Sequence, residues 1–255
     1  MKDTDAQVTG ADVPAVGAQG PLYRQIKDAM LSALAMGEWK QGDALPPEKV
    51  LASRFGVAIG TLRKAIDDMV ADGILTRQQG RGTFVAAHKR NSHFFRYFRL
   101  QRKDGQKAYP TNALLTFRRV RASVAAREAL QLGPDEMVFE FCNLLSLHGD
   151  VVLVDSVVVP DTLFRGLTEA QLKARPSTLY NFYQDAFEVN VIATEERLSV
   201  AHADLQHAVW LDVAPGFALL EVHRIAYSYH QRPVEWRISR INTTHYEYIG
   251  PHTGE

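Results

Sequence analysis

The stretch ALPPEKVLASRFGVAIGTLRKAIDDMVADGILTRQQGRGTFV, residues 44–85, decides how the chain is read. Pro46 and Pro47 fix the backbone for the first turn of a short helix, along which Val50, Leu51 and Phe55 recur at helical spacing. Gly56 breaks that helix. Ala58 to Asp72 predicts a second one, with Leu62, Ile66, Met69 and Val70 on a buried face and Thr61, Arg63 and Lys64 on the outer one. Gly73 ends it, and Ile74 to Thr76 with Thr83 to Val85 read as two strands around the hairpin QQGRG. Helix, turn, helix and wing in that order make a DNA-reading unit. The second helix presents its early residues to base edges, and flanking basic groups hold phosphates. Thr61, Arg63 and Lys64 are expected to face the duplex from the helix, Lys49 to contact the backbone, and Gln79, Gly80 and Arg81 to form the wing.

These residues resemble the DNA-binding domain of GntR-type bacterial transcription regulators, whose pattern runs LPSERELA, VSRxTVRxAL and GxLxxxxGxGTFV. The resemblance implies DNA contacts at Lys49, Thr61, Arg63, Gln79 and Gly80. The sequence departs from the pattern at Ala58-Ile59, where the family carries a Ser/Thr-Arg pair, and at LPPE in place of LPSE. The loss of one arginine implies a different operator sequence.

Upstream, PLYRQIKDAMLSALAMG (21–37) carries Leu22, Ile26, Met30, Leu31 and Leu34 on one stripe and reads as a supporting helix. Residues 1–20 are poor in large apolar side chains and are expected to be a disordered leader. A winged unit over 21–86, a linker over 87–107 and a second domain over 108–250 complete the expected organisation of the 255 residues. The run Phe94 to Arg99 alternates aromatic and basic residues; packing against the second domain is the preferred reading, single-strand stacking the other.

The formal charge is zero, yet residues 21–107 carry a net +8 and the remainder is acidic. A polyanion partner is therefore expected for the front part alone. One cysteine, Cys142, excludes an internal disulfide, and no apolar run approaches a membrane span, so a cytoplasmic protein without membrane association is expected.

From Thr111 onward long alternating strands are broken by short helices. Strands are expected at 111–121, 137–147, 151–159, 189–202, 218–229 and 233–244, and helices at 123–132, 167–174, 178–187 and 204–211. The pattern implies an α+β domain with a mostly antiparallel sheet. EMVFEFCNLLSLHGDVVLVDSVVVP, PSTLY and LLEVHRIAYSYHQRPVEWRISRINTTHYEY resemble the UTRA effector domain of the HutC subfamily, which implies a chorismate-lyase-like fold, a small-molecule effector and a homodimeric repressor. Where many members carry RLR this chain has Asn143-Leu144-Leu145, and INTTHY stands in place of YRGDRY. The resemblance points to Asn143, Thr178, Tyr180 and Glu235 as effector contacts. Arg240, on the strand that carries Glu235, is added as an anion partner. With two family arginines missing, a monocarboxylate or neutral effector with a hydrophobic body is expected rather than a phosphosugar.

No nucleophile elbow, Walker loop, GxGxxG or HExxH is present, and no cofactor or metal is expected; His202 and His207 have poor zinc-ligand spacing. The alternative function is a chorismate-lyase-like small-molecule enzyme with an appended DNA-binding domain, for which neither Glu235 nor Arg240 supplies a complete acid-base site.

Overall fold

A computed structural model describes residues 21–86, 97–106, 110–175 and 178–250, in two compact units that divide at Val85 and Ala86. The expected leader and most of the expected linker lie outside the described residues.

The first unit contains α1 (Leu22–Ala35), α2 (Glu48–Arg54), α3 (Ile59–Ala71), β1 (Leu75–Gln78) and β2 (Gly82–Val85). The apolar stripe of α1, with Ile26, Met30, Leu31 and Leu34 buried, packs on α3, which buries Leu62, Ala65, Ile66 and Met69. A Lys27–Asp72 ion pair of 2.6 Å ties the second turn of α1 to the end of α3. Gly56 and Gly73 take φ of +64° and +69°, which lets Val57 and Ile74 donate back to the carbonyls of Ala52 and Met69 and close α2 and α3. β1 and β2 pair antiparallel from Leu75–Val85 to Gln78–Gly82, so the hairpin is longer at its tip than the sequence reading placed it. Residues 42–45 lie along its other edge, where Leu45 N donates to Thr83 O and Val85 N to Asp43 O. The wing is thus anchored to the segment that leads into α2.

The second unit contains β3 (Leu100–Arg102), β4 (Thr111–Arg121), α4 (Val124–Leu130), β5 (Met137–Leu147), β6 (Asp150–Pro160), α5 (Glu169–Ala174), α6 (Leu179–Phe187), β7 (Ala193–His202), α7 (Leu205–Leu211), β8 (Ala218–Tyr227), β9 (Pro233–Ile241) and β10 (Tyr246–Tyr248). Six strands form one antiparallel sheet in the order β4-β5-β6-β9-β8-β7, and β3 pairs with β10 in a separate ribbon. Side-chain caps start the helices: Ser123 accepts from Ala126 N, Thr168 forms a capping box with Gln171, and Thr178 and Asp204 accept from Asn181 N and His207 N. β5 and β6 meet at the two-residue turn His148-Gly149, both with positive φ.

Alternation along the strands gives the sheet two faces. On one, α4 and α7 pack over Val138, Val154, Val158, Leu219 and their neighbours. On the other, α6 covers Phe139, Phe141, Val157 and Val159, while the β3/β10 ribbon covers Leu147, Leu153, Val222 and Ile241. The strand expected over 218–229 ends at Tyr227, and two further strand expectations change more. The strand expected from Val189 begins at Ala193, because Val189 and Val191 leave the sheet to fill the core under α6. The strand expected to run to Thr244 stops at Ile241, and the chain re-enters pairing at Tyr246 with β3.

Candidate nucleic-acid interface and effector site

In the first unit Lys49 on α2, Arg63 on α3, and Gln79, Gly80 and Arg81 at the wing tip are exposed, and Thr61 is half-buried. Arg63 does not project alone. Its Nε and Nη2 donate to Glu48 Oε2 at 3.0 and 2.7 Å, and Glu48 also lies 3.7 Å from Arg77, whose other nitrogen is 2.6 Å from Asp67. Glu48 stands in the first turn of α2, so it holds the guanidinium of the next helix in one orientation while part of its donor fork stays open. Lys64, also on α3, is exposed as expected. Its Nζ sits 4.2 Å from the centroid of the Tyr23 ring on α1, on a flank of α3 about 100° round from Arg63. Arg81 lies over Phe84 at 5.5 Å, and Gly80 has φ of +73° in the turn that carries it.

In the second unit the face beneath α6 and the β3/β10 ribbon holds a polar band at the seam between the two apolar clusters. Cross-strand register aligns Asn143 with Asp155 and Asp155 with Ser239, and one step along it aligns Val157 with Arg237, Arg237 with Arg224 and Arg224 with Glu196. Glu235, fully buried, accepts from Tyr180 Oη at 3.0 Å, Tyr183 Oη at 2.7 Å, and Arg237 Nε and Nη2 at 2.9 Å each. Arg237 Nη1 reaches Asp155 at 3.1 Å, and Ser239 Oγ donates to the other oxygen of Asp155. Arg224 donates to Glu196 at 2.7 Å and to the Tyr97 carbonyl at 2.7 Å, and Arg99 pairs with Glu196 at 2.9 Å. Desolvation alone lowers the pKa of Arg237, but Glu235 and Asp155 more than reverse it and hold it well above the ordinary value. Burial first, then Glu235, raises the pKa of both Tyr180 and Tyr183, so both phenols act as donors.

Asn143, Tyr180 and Glu235 are therefore brought to one face. Thr178 stands beside them as the cap of α6, its Oγ1 3.4 Å from Asn181 N. Arg240 is not on that face. Five residues from Glu235 on one strand is an odd step, so Arg240 points to the opposite side, where it meets Glu221 at 2.9 Å and His207 at 3.1 Å. The cation on the Glu235 face is Arg237, two residues away. Among the described residues, two buried polar atoms of this region have no hydrogen-bond partner: Asn143 Oδ1, in a residue 2% exposed, and Arg175 Nε. Arg175 donates through Nη1 to the Leu172 carbonyl at 2.6 Å, and its pKa is lowered first by burial; the charges it feels include Tyr183, Arg237 and Asp155. Cys142 takes no part. It points to the other face among Val154, Leu144 and Leu219, and burial pushes its thiol up to about 11. Among the described residues no group of His, Cys, Asp and Glu is arranged to hold a metal ion, and no helix is long and apolar enough to cross a membrane.

The family model of bacterial regulatory proteins, gntR family, matches residues 22–85, and that of the UTRA domain matches residues 105–247. SmoD, an HTH-type transcriptional regulator of Agrobacterium fabrum, is 33% identical over 184 residues, which is 72% of this chain and 76% of SmoD. The chain belongs to the GntR family. A further GntR relative, named a probable fructoselysine utilization operon transcriptional repressor in Escherichia coli K12, is 28% identical over 233 residues, 88% of this chain and 93% of its own. The crystal structure of a GntR-family ligand-binding domain from Bordetella bronchiseptica superposes with a TM-score of 0.57 at 34% identity, over 60% of this chain and 94% of that one. The GntR protein described here is thus a transcriptional regulator with a DNA-binding and an effector domain, and its relatives are regulators rather than enzymes.

Several residues of this GntR regulator were absent from the sequence reading: Glu48, Asp155, Arg175, Tyr183, Arg224 and Arg237. A usable signal was present for two of them. Asp155 interrupts the apolar run VVLVDSVVVP, and Arg237 shares the period-two face of Glu235. Arg175 and Arg224 join the band through tertiary placement, which no local spacing encodes.

Proposed function

We propose that this regulator binds an inverted-repeat operator as a homodimer through α3 and the wing, and leaves it when a small monoanionic metabolite occupies the polar band of the second unit. The observation that carries the effector reading is the pair of buried, unsatisfied atoms, Asn143 Oδ1 and Arg175 Nε, beside an otherwise saturated network. Buried polar groups are normally paired; an orphan acceptor on Asn143, opposite Asp155, and an orphan cationic donor on Arg175, which feels the charge of Asp155, fit a ligand that offers a hydroxyl or amino donor and an anionic acceptor. Among the described residues, four guanidiniums (Arg99, Arg175, Arg224, Arg237) meet three carboxylates (Asp155, Glu196, Glu235) in this region, which leaves one positive charge unmatched among them. One unmatched charge suits a monocarboxylate better than a phosphate dianion. Arg237 and Arg175 take the anchoring role that the sequence reading gave to Arg240.

Two-fold pairing is supported by β7, an outer strand of the sheet that leaves Leu198 and Val200 53% and 70% exposed. Two recognition helices related by a two-fold axis read inverted half-sites. A thermal-shift screen of monocarboxylates, neutral sugars and sugar phosphates tests the effector class, since a ligand at 100 times its Kd stabilises by about 2.7 kcal/mol. A hydroxylated monocarboxylate should raise Tm and release bound duplex, and both effects should vanish in Arg175→Met. Stabilisation by a sugar phosphate with no response to any monocarboxylate would reject the assignment.

A further inference from the structure

The start of α3 exposes apolar side chains. Ala58, at the N-cap, supplies no side-chain hydrogen bond; Ile59, the first helical residue, is 37% exposed; and Val50 on the preceding helix is 55% exposed. Arg63, one turn along α3 from Ile59, is paired with Glu48. Gly60 follows Ile59, yet nothing inside the chain asks for a glycine there. Its φ is not positive, and a Cβ at this position would meet no atom within 4 Å. Glycine weakens a helix relative to alanine, so its presence points to an approach from outside the chain.

We infer that Ile59 reads the 5-methyl group of a thymine in each operator half-site, with Gly60 leaving α3 room to seat closely against the base edges. The inference rests on the DNA-binding reading of the first unit. The thymine methyl is the apolar feature of the major-groove edges, and the first residues of a recognition helix are the ones that meet those edges. Ile59 offers no donor or acceptor, so it selects by burying that methyl, whereas an arginine in its place would select guanine by hydrogen bonds.

The test uses the full-length protein. Duplexes are selected from a random pool at fixed salt, and each thymine of the enriched duplex is replaced singly by deoxyuridine, which keeps the pairing and loses the methyl. Burying one methyl-sized group corresponds to roughly a fourfold change in affinity. One deoxyuridine position per half-site should therefore weaken binding by roughly fourfold, and both together by roughly fifteenfold. Ile59→Ala should abolish that penalty, and Gly60→Ala should keep or raise Tm while lowering affinity. Binding within twofold for every deoxyuridine duplex, or a penalty undiminished in Ile59→Ala, would overturn the inference and leave the DNA-binding reading intact. A pool in which no duplex is enriched would overturn both.

Discussion

Replacing Arg237 by methionine tests whether the polar band is a mutually dependent network. Arg237 makes two 2.9 Å contacts to Glu235 and one of 3.1 Å to Asp155, and all three side chains are nearly or fully buried. Methionine keeps much of the volume and removes the charge. Glu235 would then hold its charge with two tyrosine hydroxyls alone, and Asp155 with Ser239. Stranding a buried charge in this way costs about 3–5 kcal/mol. For a unit of this size, at about 2–4 °C per kcal/mol, the melting transition of the second unit should fall by roughly 6–20 °C. Differential scanning calorimetry of the full chain at neutral pH reads this directly. Adding Glu235→Gln and Asp155→Asn, which remove the stranded charges, should recover part of the loss. Arg118→Ala is the control: Arg118 is 69% exposed beside Glu140, and such surface pairs contribute about 0–1 kcal/mol. A fall of less than about 1 kcal/mol for Arg237→Met would refute the reasoning, because it would mean the two carboxylates do not depend on the guanidinium.

Arg63→Ala should weaken operator binding by about 1–3 kcal/mol in a gel-shift assay at fixed salt, the worth of a base-reading arginine; unchanged affinity would remove Arg63 from the interface. Arg81→Ala and Lys49→Ala should each weaken all duplexes alike and flatten the salt dependence by roughly one unit of slope, whereas a sequence-selective loss would make them base readers. Cys142, with its thiol pushed up to about 11 by burial and then by Asp155, stays protonated at pH 8. Alkylation by iodoacetamide at that pH should lag behind the denatured chain, and the two rates should converge only as the pH nears the raised value; equal rates at pH 8 would contradict the burial.

Local chemistry made most of the architecture legible. Gly56 and Gly73 mark the helix ends, Ser123, Thr178 and Asp204 the helix starts, and the strand alternation gave β4, β5, β6 and the β8–β9 hairpin within a few residues. The β3/β10 ribbon was not legible, since its two three-residue strands are far apart in sequence and carry no long alternating pattern. For the site, parity decided. Glu235 and Tyr180 share a face as read, but Arg240 lies an odd number of residues from Glu235 and so belongs to Glu221 and His207. The aromatics after the first unit pack as preferred where they are described: Tyr97 is buried against Tyr180 at 5.2 Å between ring centroids.

The central claim is that a ligand in the second unit and DNA on the first compete through one coupling free energy. Once the screen has named an effector, isothermal titration of that effector into the full-length protein, alone and saturated with operator duplex, measures the coupling. Linkage requires the effector to bind the DNA complex more weakly by the same factor by which it weakens DNA binding. Equal effector affinity with and without the duplex would contradict the account.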